Sequence, residues 1–246
     1  MTKGAKTMLL YIVRHGDPIY NPDSLTERGK LQAAALGKRL ARYGVDRIYS
    51  SPLVRAQQTA EPTCILMGKT AQILEWTSES IAWEYFTVSL GEKRRGWCFH
   101  TADGPERLRG EEVESLGRQW YKASYFRDNH IRAEEGYNKI RTASDAFLAE
   151  LGYVHEGSGY RVRAHSDERV AVFCHQGFGL SWLGVLLDIP LPVTWTSFDI
   201  SHSDLTVIEF AGHTGDFCIP KMLTLSNDSH LYAEGLPTRY QNVLYF

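Results

Sequence analysis

The sequence predicts an α/β fold: a three-layer αβα sandwich with a mostly parallel sheet, an antiparallel edge and a helical lid insertion. Three observations carry this expectation. Residues 8–74 alternate short apolar runs with amphipathic helical stretches, and a second buried run backed by a helix returns at 169–187. Between them, residues 75–152 hold helical stretches and no convincing strand pattern. Strand–helix–strand alternation implies right-handed crossovers and parallel pairing. The 246 residues make one domain, 1–246, with the insertion at roughly 75–165.

Each element has a local reason. Met8-Leu-Leu-Tyr-Ile-Val13 is continuously apolar, as a strand buried on both faces must be. Thr26 caps a helix with apolar positions Leu31, Ala34, Ala35 and Leu40, and Gly44 ends it. Asp46 to Ser50 is a short strand; Ser51-Pro52 then reads as a cap followed by proline at the first helical position. That helix runs through Arg55 and Thr59 toward Met67, with Gly68 as its stop, before a short strand at Ala71 to Leu74. Glu111 to Phe126 and Glu135 to Leu151 read as long helices, and Tyr153 to Arg163 as a hairpin around Gly157-Ser158-Gly159. Arg169 to Cys174 is a buried strand, followed by a helix from Phe178 to Leu187. Leu205 to Phe210 and Phe217 to Leu225 are two strands forming the antiparallel edge.

Composition narrows the function classes. Lys plus Arg number 27 against 29 Asp plus Glu, a formal net charge of −2, which argues against a nucleic-acid binder. Apolar residues at 43% and charged residues at 23% describe a globular chain rather than a disordered one. No apolar run reaches the roughly 18 residues of a membrane span, and Met8 to Val13 is too short for a signal-peptide core. Cys64, Cys98, Cys174 and Cys218 are widely spaced with no Cys-x-x-Cys pair, so a cytoplasmic location without structural zinc or disulfides is expected.

Three strand ends share a chemical character. One runs into Arg14-His15-Gly16, the second into Ser50-Ser51-Pro52 with Arg55, and the third into His175-Gln176-Gly177. Ligands of open parallel sheets bind at such carboxyl ends, so two histidines and two arginines converge on one crevice. Two guanidinium groups fork onto a dianionic phosphate, and a neutral imidazole beside them is a nucleophile for phosphorus. Neighbouring cations disfavour the protonated imidazole. The pattern suits phosphoryl transfer with no metal and no cofactor, on a small phosphorylated substrate.

On these residues the chain resembles the histidine phosphatase (phosphoglycerate mutase-like) superfamily. Arg14-His15-Gly16 with Leu25-Thr-Glu-Arg-Gly29 is similar to its first signature, and Ser50-Ser-Pro52 with Arg55-Ala56 to its second. Val172-Phe-Cys-His175-Gln-Gly177 resembles the third, usually His-Gly-Gly, so Gln176 departs from the pattern. The resemblance implies a cofactor-independent phosphatase acting through a phosphohistidine on His15. It places Arg14, Arg55 and His175 around the phosphoryl group, with Asn21 and Gln176 as further phosphate contacts. It also implies a carboxylic acid after the third strand that protonates the leaving oxygen, for which Glu75, Glu79 and Glu84 lie in range. Glu79 leads on a spacing from Arg55 similar to the family's and on the tryptophan, Trp83, that follows; Glu84 is second, and Glu75 reads as a strand-end residue.

Other readings stay open at this level. A mutase would return the phosphoryl group to bound substrate, although the loop from Gly16 to Leu25 is shorter than in glycolytic relatives and their Glu-Arg-His-Tyr signature is absent around Glu79. A phospho-ligand binding module of the same fold would need a weakened acid, and a nucleotide-dependent transferase would need a Gly-x-x-x-x-Gly-Lys loop, which is missing. His100, His130, His155, His165, His213 and His230 show no metal-ligand spacing and read as surface or packing residues; His202 is within reach of the crevice. The aromatic insertion, including Trp76, Trp83 and Trp97, reads as the lid's own core, and Lys93-Arg94-Arg95 as a solvated run with a second phosphate as the alternative. The substrate and the oligomeric state are left open.

Overall fold

Strand β1 (Thr7–Arg14) sits at the centre of the sheet because its alternate residues feed two different cores. Tyr11 and Val13 point to one face, Leu10 and Ile12 to the other. A computed structural model describes residues 7–92 and 94–238. A hairpin, β2 (Pro18–Tyr20) and β3 (Asp23–Leu25), leads to helix α1 (Glu27–Tyr43). Then come β4 (Arg47–Ser50), α2 (Val54–Met67) and the two-residue β5 (Gln72–Ile73).

Thr26 caps α1 as expected, its hydroxyl accepting the Gly29 amide at 3.0 Å. The apolar stripe is displaced from the expected one: Leu31 is exposed, while Ala33, Leu36, Gly37 and Leu40 are buried. Close packing of α1 on α2 sets this phase, since a Cβ on Gly37 would lie 3.0 Å from Pro62 Cβ. The start of α2 also differs. Its cap is Leu53 rather than Ser51, whose hydroxyl accepts the Leu53 amide at 3.3 Å and also meets a distant histidine.

The segment that breaks the alternation begins with α3 (Glu79–Phe86) and a small hairpin, β6 (Thr87–Ser89) and β7 (Arg95–Trp97). That hairpin carries no alternation that sequence reasoning could have read. After α4 (Gly104–Leu108), the single helix expected over 111–126 is broken. Gly117, with φ +52°, ends α5 (Glu111–Leu116), a 3-10 stretch follows, and α6 (Ser124–Asp128) restarts. The long α7 (Ala133–Glu150) and the hairpin β8 (Tyr153–Glu156) and β9 (Gly159–Val162) follow expectation.

The chain then enters β10 (Arg169–Cys174), α8 (Gln176–Leu187) and α9 (Leu191–Ser197), and returns as β11 (Leu205–Ala211). The strand expected over 217–225 is two strands. β12 (Phe217–Cys218) leaves to pair with β9, and β13 (Lys221–Asn227) forms the sheet edge before α10 (Ser229–Ala233). Pro220, which has no amide to donate, separates them.

The main sheet has the order β13-β11-β1-β10-β4-β5, with β1, β10, β4 and β5 parallel and β11 running antiparallel to both of its neighbours, β1 and β13. Leu36, Leu40 and Ala60 of α1 and α2 pack on one face; Phe147 and Leu148 of α7 with Phe178 and Trp182 of α8 pack on the other. This is the three-layer sandwich with an antiparallel edge. Among the described residues no helix is long and apolar enough to cross a membrane, and all four cysteines are free.

Candidate active site

Strand register, more than any loop, brings the site together. Arg14 pairs with Cys174 and Ser50 with Phe173, so the next residues, His15, His175 and Ser51, emerge side by side. The ladder continues into them: the His15 amide donates to the Cys174 carbonyl at 3.0 Å, and the Ser51 amide to the Phe173 carbonyl at 2.9 Å. The two imidazole centroids lie 5.1 Å apart.

His15 Nδ1 lies 2.7 Å from the Gly16 carbonyl oxygen. A carbonyl only accepts, so Nδ1 carries the proton and Nε2 carries the lone pair. Burial holds the His15 pKa well below the ordinary value, and His175, Arg14 and Arg55 depress it further. His175 is likewise held neutral, by burial and then by Arg55 and Arg14. Its Nε2 meets the Ser51 hydroxyl at 2.7 Å, while its buried Nδ1 has no hydrogen-bond partner among the described residues.

The two arginines are anchored from behind. Arg14 donates through Nη1 to the Ile200 carbonyl at 2.6 Å and through Nη2 to His202 Nε2 at 2.7 Å. Burial lowers its pKa, opposed by the carboxylates of Asp199, Asp204 and Glu79. Arg55 bonds Asp23 at 2.7 Å and lies 5.3 Å from the Tyr20 ring centroid; its buried Nε has no partner among the described residues.

Of the three candidate acids, one joins this group. Glu79 opens α3, capped by Ser78, and its carboxylate accepts the Gly177 amide at 2.9 Å and the Phe178 amide at 2.8 Å. Burial raises its pKa, and the two amides, with Arg55 and Arg14, oppose that rise. Glu84 reaches the rim of the same cleft but is bound to Arg132 at 2.5 Å. Glu75 is exposed on a single 3-10 turn outside the cleft.

The cleft has a volume of about 650 Å³, and Arg14, His15, Arg55, Glu79 and Gln176 all line it. Gln176 bonds Asp199 through its amide nitrogen. Asn21 is the expected contact that does not come to the wall. It is exposed at the turn between β2 and β3, and its neighbours Tyr20 and Asp23 line the cleft instead. Trp83 and Trp97 also form the wall, against the expectation of a closed lid core. Arg95 folds onto Thr87, with Nε on the hydroxyl at 2.8 Å, and does not reach the cleft; Lys93 lies outside the described residues.

Tyr20, Asp23 and Ser51 as partners of Arg55 and His175 escaped sequence reasoning. Only their closeness to the signatures pointed toward them. Among the described residues no group of three or more His, Cys, Asp or Glu side chains is arranged to hold a metal ion.

Comparison with known proteins gives a consistent picture. The chain is 32% identical over 129 residues to proteins named probable phosphoglycerate mutase GpmB of Yersinia pestis (strain Pestoides F) and Yersinia pseudotuberculosis (serotype O:1b). The match covers 46% of this chain and spans about 60% of the length of those relatives. In fold it is similar to the Entamoeba histolytica phosphoserine phosphatase in complex with 3-phosphoglyceric acid (20% identity, 91% of this chain and 99% of that one, TM-score 0.57). It is also similar to mycobacterial glucosyl-3-phosphoglycerate phosphatase (17% identity, 89% and 99%, TM-score 0.58). A profile of the histidine phosphatase superfamily (branch 1) matches residues 10–144, more than half of the chain, and the chain belongs to that superfamily.

Proposed function

We propose that the protein hydrolyses a phosphate monoester in two in-line steps through a phosphohistidine on His15. The observation that carries this reading is the 2.7 Å contact between His15 Nδ1 and the Gly16 carbonyl, which leaves Nε2 with its lone pair beside Arg14, Arg55 and His175. Nε2 attacks phosphorus as the bond to the ester oxygen breaks, and Glu79 gives its proton to the departing alcohol. The Glu79 carboxylate then takes a proton from water. That water attacks phosphorus, the P–N bond breaks, and inorganic phosphate leaves with His15 restored. Arg14, Arg55 and His175 hold the charge on the equatorial oxygens, the largest expected contribution to rate.

In this reading the chain is one domain, and the segment 75–165 forms the outer wall that receives the leaving group. The support for that role is that Glu79, Trp83 and Trp97, all from this segment, line the cleft with His15. Mutase-type transfer is the second reading, favoured by the name of the curated relatives. Net release of inorganic phosphate separates the two.

The direct test is rapid-quench trapping during turnover of a phosphate ester. An acid-labile, base-stable phosphate on His15, absent in His15→Ala, is expected. Turnover with phosphate on serine, or with no protein-bound phosphate, refutes the mechanism.

A further inference from the structure

Resting on the phosphatase reading, we infer that this cleft selects an uncharged, ring-bearing alcohol as leaving group, and that Trp83 and Trp97 make the selection. Two independent features of the wall carry this: its shape and its charge.

The apolar part of the wall is preorganised. Trp83 meets Trp97 edge to face, with centroids 5.0 Å apart at 85°. Trp97 is stacked on Phe99 at 5.4 Å and 18°, and Phe99 on Trp195 at 5.4 Å and 22°. A Cβ on Gly177 would fall 2.4 Å from the Trp97 ring, so the α8 backbone also packs closely against that ring. Trp97 is therefore held in place, whereas Trp83 remains partly exposed at the cleft. Leu53 and Tyr20 add further apolar surface to the same cavity. Aromatic rings bind such a surface by area burial and by edge-to-face contact, with little ordering cost when the wall is rigid.

The charge is one-sided. Among the described residues lining the cleft, the cations are Arg14 and Arg55, both committed to the phosphoryl group in the proposed chemistry. The remaining charged wall is acidic, Asp23 and Glu84, beside Glu79, which enters the proposed chemistry carrying a proton. Arg132, the guanidinium nearest Glu84, is held by Glu84 at 2.5 Å and Glu135 at 3.1 Å. A carboxylate or a second phosphate on the substrate would meet carboxylates and, among the described lining residues, no spare cation, losing hydration without a counter-charge. Substrates of the kind named for the structural relatives, phosphoserine and 3-phosphoglycerate, carry such a group.

The experiment compares esters whose leaving groups are all primary alcohols, so that intrinsic reactivity does not decide the order. Release of phosphate from 2-phenylethyl phosphate, ethyl phosphate, 3-phosphoglycerate and phosphoserine is followed with the full chain. 2-Phenylethyl phosphate is expected to exceed 3-phosphoglycerate in kcat/KM by about tenfold or more. The ratio of 2-phenylethyl to ethyl phosphate is expected to fall about tenfold in Trp83→Ala, mainly through KM, and to recover in Trp83→Phe. Ser80→Lys, which puts a cation on the wall, is expected to shift preference toward 3-phosphoglycerate by a similar factor. Turnover of 3-phosphoglycerate or phosphoserine at or above that of 2-phenylethyl phosphate overturns this inference and leaves the phosphatase reading standing. A preference for the ring that survives Trp83→Ala unchanged also overturns it. Release of phosphate from none of the four refutes both.

Discussion

Glu79 Oε2 accepts the backbone N–H of Phe178 at 2.8 Å, three residues beyond His175, while Oε1 accepts the Gly177 amide. The acid and the second histidine are thereby fixed to the same helix terminus, and burial still leaves the Glu79 pKa raised. A raised pKa keeps the transferable proton to higher pH than an ordinary carboxyl would. Alkyl phosphate hydrolysis should therefore fall as pH rises through the Glu79 pKa, whereas an aryl phosphate with an acidic phenol should depend on it far less. Glu79→Gln should slow the alkyl ester by about a hundredfold or more and abolish that limb of the pH–rate profile. Glu84→Gln should show no such leaving-group dependence; if it does, and Glu79→Gln does not, the acid is Glu84.

Arg55→Ala should lower kcat by about a hundredfold or more, since it removes an oriented donor from the cleft. Arg95→Ala should stay within a few-fold of wild type, because that side chain is folded onto Thr87. Steady-state rates of the two variants on one ester decide it, and equal losses would misplace the phosphate site.

Gly177→Ala should cost about 1–3 kcal/mol of stability, because the new Cβ meets the Trp97 ring at 2.4 Å and that buried ring is already packed against Trp83 and Phe99. Denaturant titration reads this directly. An unchanged midpoint would mean that the wall yields, which would also weaken the case for a rigid aromatic surface.

Acid should destabilise the fold through its neutral histidines. His230 is buried beside Arg39 and Ser203, and its pKa is lowered from 6.5 to about 4. The unfolded chain takes up the proton first, so the contribution is fully present above pH 6.5 and is lost as pH falls toward about 4. His230→Gln should flatten this loss by at most about 3 kcal/mol, at roughly 1.4 kcal/mol per pH unit. Unfolding free energies of both proteins across that window test it, and parallel curves would refute the assignment.

What the sequence made legible follows from range. Arg14-His15-Gly16 and His175 stand at the ends of apolar runs, so their convergence was readable from local pattern and strand topology. Glu79 was readable only through its resemblance to a family spacing, because its holding contacts reach across to α8. Ser51 reads as a helix cap from its local motif, yet the helix starts three residues later and the Ser51 hydroxyl joins the Leu53 amide to His175, 124 residues away. Tyr20 and Asp23 depend on a hairpin of two three-residue strands folding over Arg55, too short to show a periodicity. The aromatic pattern of the insertion announced burial but could not say which ring would keep one side open. β12 leaves the edge strand for β9, a choice made by pairing with a distant hairpin rather than by its own two residues.

The central position of β1 has a consequence for how the protein is made. Its ladder partners are β10 and β11, which emerge from the ribosome only after residue 169 and residue 205. At roughly 5–20 residues per second, the nascent chain carries an unpaired, largely apolar strand for on the order of ten to thirty seconds. During that interval both edges of β1 are templates for pairing with another chain, and such a strand is a target for holdase chaperones. Completion of the main sheet thus waits on β10 and β11, which follow β1 by more than 150 residues. The pairing of β1 with β10 that covers one of those edges is also the event that sets His15 and His175 side by side.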